Sequence, residues 1–374
     1  MLGSVALTLL ALALSGLLAL FGVGVPAALA HGLFAIGILP LIFAAMLHFV
    51  PVLTRSGEPA AFLRRWPLFA QMTGLTVVLA LQGWLPDDVL YGAAAVDLIL
   101  AGILLRWIIG RARAALGAPH PGWRWYGGAL AMLMLGLLAI LGMRLWPAYW
   151  LQWRLAHLHF NTLGLVGLAA LGTLPVLLPT ALGRPDPAAA PWLRRALWPA
   201  LLAVFVLALG AAGYWPLSLL AAATLFGLML SLARHWQRTF TCSTLVRDGA
   251  AVSLAGALLG WAGCLLAGAL HAAQLLPARP TLAAWIAAGL LPLVSGALSQ
   301  LLPVWRWPGR RLPAHALMRA QLVAGGQGRT LLFLTGGLAF LVDATTLGAL
   351  FCGAGLLRFA ISLLQALRIS RSTR

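Results

Sequence analysis

The chain has 374 residues, of which 62% are hydrophobic, and its formal net charge is +18 at pH 7. Only 9% of the residues are charged, whereas about a quarter are charged in an average soluble domain, so the composition excludes an ordinary soluble globular protein. All 25 basic residues are arginine, and they lie in short loops between apolar stretches. This placement argues against nucleic acid as a partner and is typical of the cytoplasmic loops of membrane proteins.

The apolar stretches predict an all-α, polytopic transmembrane bundle of about twelve helices. A stretch of about 18 or more apolar residues can cross a bilayer, and in lipid the backbone must satisfy its own hydrogen bonds as a helix. In chain order, the predicted spans are 2–22, 27–52, 67–84, 89–109, 127–146, 152–180, 196–214, 216–235, 250–274, 281–304, 328–343 and 346–367. The lipid bilayer is therefore the first expected partner.

The arginines predict the orientation of the bundle. With the N-terminus inside, twenty-two arginines fall on the inner side, and only Arg144, Arg154 and Arg279 fall on the outer side. Basic residues concentrate on the cytoplasmic side of membrane proteins. Both termini are therefore expected in the cytoplasm, and the use of arginine without lysine favours the inner membrane of a GC-rich bacterium.

An internal repeat predicts how the helices are organised. Residues 37–57 and 289–309 are identical at eight of 21 positions, and residues 159–179 have the same spacing from His to Pro as residues 31–51. These segments belong to predicted helices 2, 10 and 6, so the pattern recurs every four helices. We expect one integral membrane domain, 1–374, with a pseudo-threefold arrangement of four-helix units at about 1–125, 126–248 and 249–374.

Four histidines are predicted to lie near the outer ends of spans, at a similar depth. They are His31, His157, His159 and His271. A histidine inside a membrane span is a functional hypothesis by default, and the alternative is a buried ring bonded to a backbone carbonyl. His48 lies about 25 Å deeper than His31 at 1.5 Å per residue and is expected near the inner interface. The expected solvated loop or helix-end residues are His120, His235 and His315.

The pair His157 and His159 has a specific helical geometry. Residues two apart on a helix are separated by about 200°, so these rings suit two neighbouring sites better than one metal. A low-spin haem takes two axial histidines from opposing helices. We expect His31 and His159 to supply that pair for a haem b. His157 would then face a second pocket for another haem or copper, with His271 as a further candidate metal ligand.

The run A-H-L-H-F-x3-G from Ala156 to Gly164, followed by Pro179, resembles the tenth helix of haem-copper oxidase subunit I, which reads A-H-F-H-Y-x3-G. The resemblance implies that His157 binds a high-spin haem and His159 a low-spin haem. The segment from His31-Gly32 to Val50-Pro51 resembles the family's second helix, which implies that His31 is the other low-spin ligand. Its spacing is also similar to that of NnrS proteins, which contain haem and copper, have twelve helices and are linked to nitric oxide stress.

The chain departs from the oxidase pattern in three ways. The H-x-H helix is the sixth predicted helix instead of the tenth, the tenth contains no histidine, and there is neither a His-Pro-Glu-Val-Tyr run nor a His-His pair. The set of histidines for a copper site is therefore incomplete. The resemblance implies a cytochrome c oxidase subunit I-like haem protein without a complete oxygen-reducing centre.

Two outer arginines are candidates for the propionates of a haem. Arg144 and Arg154 bracket the sixth predicted span, among Trp146, Trp150 and other aromatic residues. Arginine donates paired hydrogen bonds to carboxylates, but arginine and aromatic residues also anchor helices at membrane surfaces. Both roles stay open at this point.

These patterns favour a haem-binding inner-membrane protein that transfers electrons or binds a diatomic gas such as oxygen or nitric oxide. Whether it is an enzyme of the oxidase or nitric oxide reductase type stays open. Its expected partners are other membrane subunits or a cytochrome that donates electrons. One alternative is a twelve-helix transporter with helix-breaking Pro40, Pro175 and Pro292 at a substrate site. The other is a haemless scaffold or assembly factor derived from the same fold.

Overall fold

The computed structural model describes residues 2–309 and 313–369, apart from the side chains of Ala278 and Arg279. All regular secondary structure in these ranges is helical, which confirms the predicted all-α class. In chain order the helices are α1 (Leu2–Leu20), α2 (Pro26–Thr54), α3 (Trp66–Leu81), α4 (Val89–Arg113), α5 (Gly122–Leu145), α6 (Pro147–Ala181), α7 (Ala189–Ala212), α8 (Trp215–Thr239), α9 (Cys242–Arg247), α10 (Gly249–Ala272), α11 (Pro280–Arg306), α12 (Pro313–Val323), α13 (Gly326–Leu341) and α14 (Thr345–Leu367).

Ten of the described helices are long and apolar enough to cross a membrane. This finding indicates a multi-pass membrane protein. The other two predicted spans are also helical, but α3 and α13 have 16 residues each. At 1.5 Å per residue they are about 24 Å long, which is short of the roughly 30 Å of a hydrocarbon core. The count of twelve crossings and the orientation therefore stay predictions.

Large apolar side chains on the outer surfaces of the helices agree with a lipid environment. The exposed fraction is 61% for Leu10, 67% for Leu220 and 60% for Leu350, and these residues lie on three different helices. Such a density of exposed leucine is unusual for a protein surrounded by water. These faces are therefore expected to contact acyl chains.

The chain divides into two compact units. The first contains the residues up to Thr173 together with Ala190–Ala221, and the second contains Leu174–Ala189 together with the described residues after Ala221. Helices α6 and α8 thus contribute to both units. The threefold repeat within a single domain stays a prediction.

Three helices contain a π-helical segment at matching places of the internal repeat. The segments are Gly32–Ile38 in α2, Phe160–Gly167 in α6 and Ile286–Leu290 in α11. Each ends 12 or 13 residues before the proline that the repeats share, namely Pro51, Pro179 or Pro303. A π-helical turn is rare and is often found at functional sites, so each of these three turns is a candidate functional position.

The prolines that were predicted to break helices do not do so. Pro40 and Pro292 lie at the start of the α-helical part that follows a π segment, and Pro175 lies inside α6. A proline cannot donate to the carbonyl one turn before it, and the wider π turn makes room for the proline ring. In α2 the carbonyls near the turn find other donors, since Thr8 Oγ1 donates to Gly37 O at 2.8 Å and Gln71 Nε2 donates to Ile36 O at 3.4 Å. The helices therefore stay continuous, and the broken-helix expectation was wrong.

Candidate functional site

His31 and His159 occupy equivalent positions in their helices. Each is the last residue before a π segment, and each directs its Nδ1 at the carbonyl one turn earlier, Ala27 O or Leu155 O, at 2.8 Å in both cases. A carbonyl oxygen can only accept, so Nδ1 carries the proton in the neutral ring and Nε2 carries the lone pair. Both rings are thus held in the tautomer that binds a metal through Nε2.

His157 is held in the same tautomer by a different helix. Its Nδ1 donates to Gly136 O of α5 at 2.7 Å. A histidine that binds a metal through one ring nitrogen usually donates its other ring N–H to a group such as a backbone carbonyl. The backbone of α5 therefore fixes the direction in which His157 presents Nε2.

The structure brings His31 together with His157. Their ring centroids are 6.1 Å apart and their planes differ by 16°. The pairing predicted from the sequence was His31 with His159, and His157 was expected to face a second pocket. Because residues two apart on a helix point in nearly opposite directions, the turn of α6 that directs His157 towards α2 directs His159 elsewhere.

The centroid distance of these two rings is compatible with a metal ion held between them. Two Nε2 atoms bound on opposite sides of one metal at about 2.0 Å each would place the centroids about 6 Å apart, and the observed distance between the two nearly parallel, stacked rings is 6.1 Å. Within the described residues there is no group of three or more histidine, cysteine or acidic side chains that could hold a metal ion. A bare zinc site needs three or four protein ligands, whereas haem iron needs only axial ligands from the protein. The donor set thus fits haem better than a free metal ion.

Asn161 and Gly136 support His157 and were not anticipated from the sequence. Asn161 Nδ2 donates to His157 O at 2.7 Å and lies 3.3 Å from His157 Nδ1. A Cβ atom on Gly136 would lie 2.5 Å from Asn161 Nδ2, so the glycine permits this close approach. The available signal was a polar residue four positions after His157, on the same helical face of an apolar segment.

An open apolar groove of about 390 Å³ lies along α5, α6 and α7, and its lining includes neither His31 nor His157. Trp153, Ala156, Phe160 and Phe205 contribute to the lining. Several other lining side chains are exposed, among them Leu145 at 65%. This groove is therefore expected to contact lipid, and it does not enclose the histidine pair.

The two arginines predicted to bind propionates are both exposed and have other neighbours. The Arg154 guanidinium lies 5.6 Å from the centre of the Trp150 ring. Arg144 Nη2 is 4.0 Å from Asp88 Oδ1, and its guanidinium lies 5.8 Å from the Tyr91 ring. Such exposed pairs contribute little to stability, and both arginines can change partners. Their propionate role stays a prediction.

His271, the further candidate metal ligand, lies in the second unit. Its Nδ1 donates to Leu276 O at 2.8 Å, in the turn that follows α10. This is the same kind of backbone contact that holds His31. A second haem or copper with His157 and His271 as ligands stays a prediction.

Three other histidines were expected to be solvated loop or helix-end residues, namely His120, His235 and His315. His235 Nε2 lies 2.6 Å from Asp186 Oδ2, and the Asp186 side chain is only 3% exposed. His315 Nε2 donates to Trp307 O at 2.8 Å. His120 lies in a loop, where burial and the positive charge of Arg194 lower its pKa. All three are half-buried, so the expectation of solvated side chains was wrong for them.

Comparison with known proteins identified no matching family model and no matching curated protein. The resemblance to haem-copper oxidase subunit I therefore depends on the residues of α2 and α6 alone.

Proposed function

We propose that this chain is a membrane haem protein in which His31 and His157 are the two axial ligands of one b-type haem. The observation that carries this proposal is the pair of imidazole rings 6.1 Å apart, each with Nδ1 tied to a backbone carbonyl. Two histidines from different helices, in the ligating tautomer and at this separation, are what a six-coordinate haem requires.

The function that follows is electron transfer. When bound, the haem supplies a one-electron redox centre. Ala27 O and Gly136 O hold the two rings in place and increase the basicity of Nε2, which strengthens its donation to iron. If His31 and His157 both held the iron, the bound group would serve electron transfer and would not bind a gas.

His159 is assigned a second role within the same proposal. It repeats the geometry of His31 but lies on the other side of α6 from His157. A second haem or copper would be bound on that side. Oxygen or nitric oxide could bind only at such a second centre.

The finer architecture belongs to the same proposal. The matching π segments of α2, α6 and α11 support three related four-helix units in a pseudo-threefold bundle, as in haem-copper oxidase subunit I. The excess of arginine on one side supports cytoplasmic termini in a bacterial inner membrane. A cytochrome or another membrane subunit is the proposed electron donor.

The test is a reduced-minus-oxidised visible spectrum of the purified protein, together with iron and copper analysis. We expect sharp b-type bands that disappear in His31→Ala and His157→Ala. The bands should persist in His315→Ala, which serves as the control because His315 Nε2 donates to Trp307 O in the second unit. Loss of the bands in His159→Ala with retention in His157→Ala would restore the pairing predicted from the sequence. A colourless protein without iron would refute the proposal and leave the transporter and the haemless scaffold.

A further inference from the structure

Arg329 is a fully buried guanidinium that lacks a carboxylate partner. It lies in the first turn of α13, is 0% exposed, and its Nε has no hydrogen-bond partner. Its two other nitrogens make long contacts of 3.4 Å, to Leu322 O and Ser299 Oγ, and its guanidinium lies 4.8 Å from the centre of the Phe359 ring. The ion pairs found within residues 2–309 and 313–369 all involve other residues. A buried charge without a counter-charge is strongly unfavourable.

The surroundings of Arg329 add positive charge. The N-terminus of a helix carries a partial positive charge, and the start of α13 has no side-chain cap. Arg358 of α14 lies close to this helix start. A Cβ atom on Gly325 would lie 2.8 Å from Arg358 Nε, and one on Gly328 would lie 3.1 Å from Arg358 Nη1. The Arg358 guanidinium is therefore seated directly on the first turn of α13, where these glycines make room for it.

Two arginines thus lie at an uncapped helix N-terminus, and the ion pairs found within residues 2–309 and 313–369 involve neither of them. Backbone N–H groups at a helix N-terminus and guanidinium groups are the usual ligands of phosphate. We propose that Arg358 and the first turn of α13 bind the phosphate of an anionic phospholipid head group, with Arg329 contributing positive charge buried behind them.

The environment of Arg358 favours a lipid over a free phosphate ion. Arg358 is exposed, and its neighbours on α14 are also exposed, at 62% for Leu357, 48% for Ile361 and 61% for Leu364. A ligand that neutralises Arg358 thus lies beside an open apolar face that acyl chains can cover. Basic pockets between membrane helices on the cytoplasmic side bind anionic head groups in this way. This site is independent of the proposed haem.

The test measures lipid retained by the full-length protein in native mass spectrometry, with phosphatidylglycerol or phosphatidylcholine added in detergent. Wild type should retain phosphatidylglycerol in preference to phosphatidylcholine. Arg358→Gln should lower that retention about fivefold, and Arg358→Lys should keep most of it. Arg238→Gln is the matched control, since Arg238 is an exposed arginine near the end of another helix and its loss should change nothing.

Three outcomes would overturn the proposal. The first is equal retention of the two lipids by wild type, and the second is unchanged retention of phosphatidylglycerol in Arg358→Gln. The third comes from a parallel thermal-shift measurement with inorganic phosphate. If phosphate alone stabilises wild type, fails to stabilise Arg358→Gln, and no lipid is retained, the site binds a free anion and the lipid assignment is wrong. Size-exclusion chromatography of each variant checks that it is folded.

Discussion

The π segments of α2 and α11 occupy matching places of the repeat, yet the residues around them differ in kind. The residue directly before the segment is His31 in α2 and Trp285 in α11. His31 faces another imidazole at 6.1 Å, whereas Trp285 stacks on Trp261 with centroids 5.5 Å apart and planes 25° apart. The same backbone feature therefore lies beside a pair of imidazole rings in one place and an apolar contact in the other.

The close packing around the two segments differs as well. A Cβ atom on Gly289 would lie 2.0 Å from the Trp261 ring, and one on Gly260 would lie 1.9 Å from Ala288 O. On Gly32 the added atom would instead meet the side-chain oxygen of Ser15, at 2.6 Å. A small side chain such as serine can rotate, but a buried indole or a backbone carbonyl cannot. The π turn alone therefore does not indicate a ligand site, because the side chains around it decide its role.

The largest expected effect concerns the α11 region. Trp261→Ala should lower the free energy of unfolding by about 3–5 kcal/mol, because it removes a fully buried aromatic side chain. Haem content per folded molecule should stay unchanged. Thermal unfolding followed by size-exclusion chromatography, with haem absorbance normalised to folded protein, measures both quantities. Loss of haem without loss of stability would contradict the structural role of this region.

The next effect comes from giving α2 the residue that α11 carries. His31→Trp should weaken haem binding by about 100-fold or more, since loss of even a supporting residue around a metal ligand costs 10–100-fold. The fold should be retained. Haem titration of the apoprotein measures the affinity, with His48→Trp as a control deeper in the same helix. Undiminished affinity in His31→Trp would remove the distinction between the two regions.

A smaller effect is expected for the residue that positions His157. Asn161→Leu removes the hydrogen bond to His157 O and should weaken haem binding about tenfold. The matched control is Thr162→Val, because Thr162 Oγ1 donates only to Leu158 O one turn earlier. The same haem titration applies, and the midpoint potential gives a second readout. Equal effects of the two substitutions would indicate a general loss of helix stability.

The smallest expected effect on the free energy of unfolding distinguishes Gly32 of α2 from Gly289 of α11. Gly32→Ala should change the free energy of unfolding by less than about 1 kcal/mol, because Ser15 can move and a helical glycine is itself unfavourable. Gly289→Ala should be clearly destabilising, because its methyl group would overlap Trp261. Thermal midpoints of the two variants provide the measurement. A larger loss in Gly32→Ala than in Gly289→Ala would reverse the comparison.

The helices could be predicted from the sequence because long apolar stretches allow few alternatives in lipid. The proximity of His31 to the N-terminal part of α6 could also be predicted, because the sequence places the histidines of both helices at a similar depth in the membrane. The partner of His31 did not follow, because the choice between His157 and His159 depends on how α6 is rotated. Gly136 of α5 contributes to that rotation through its carbonyl contact with His157 and its close approach to Asn161. Neither Gly136 nor Asn161 has a signature in the spacing of the histidines. The buried Arg329 was counted among inner loop residues, since hydropathy does not reveal contacts between helices.

The π turn of α2 has one more consequence. A π-helical turn contains one residue more than an α-helical turn, so the two ends of α2 are about 100° out of phase with each other. The N-terminal end can direct His31 at its partner while the C-terminal end independently buries Phe43, Met46 and Val50, each 0% exposed. A single helix thus serves two differently oriented neighbours. Deletion of one residue between Gly32 and Ile38 would merge the two phases and force a choice between the imidazole pair and the buried inner face.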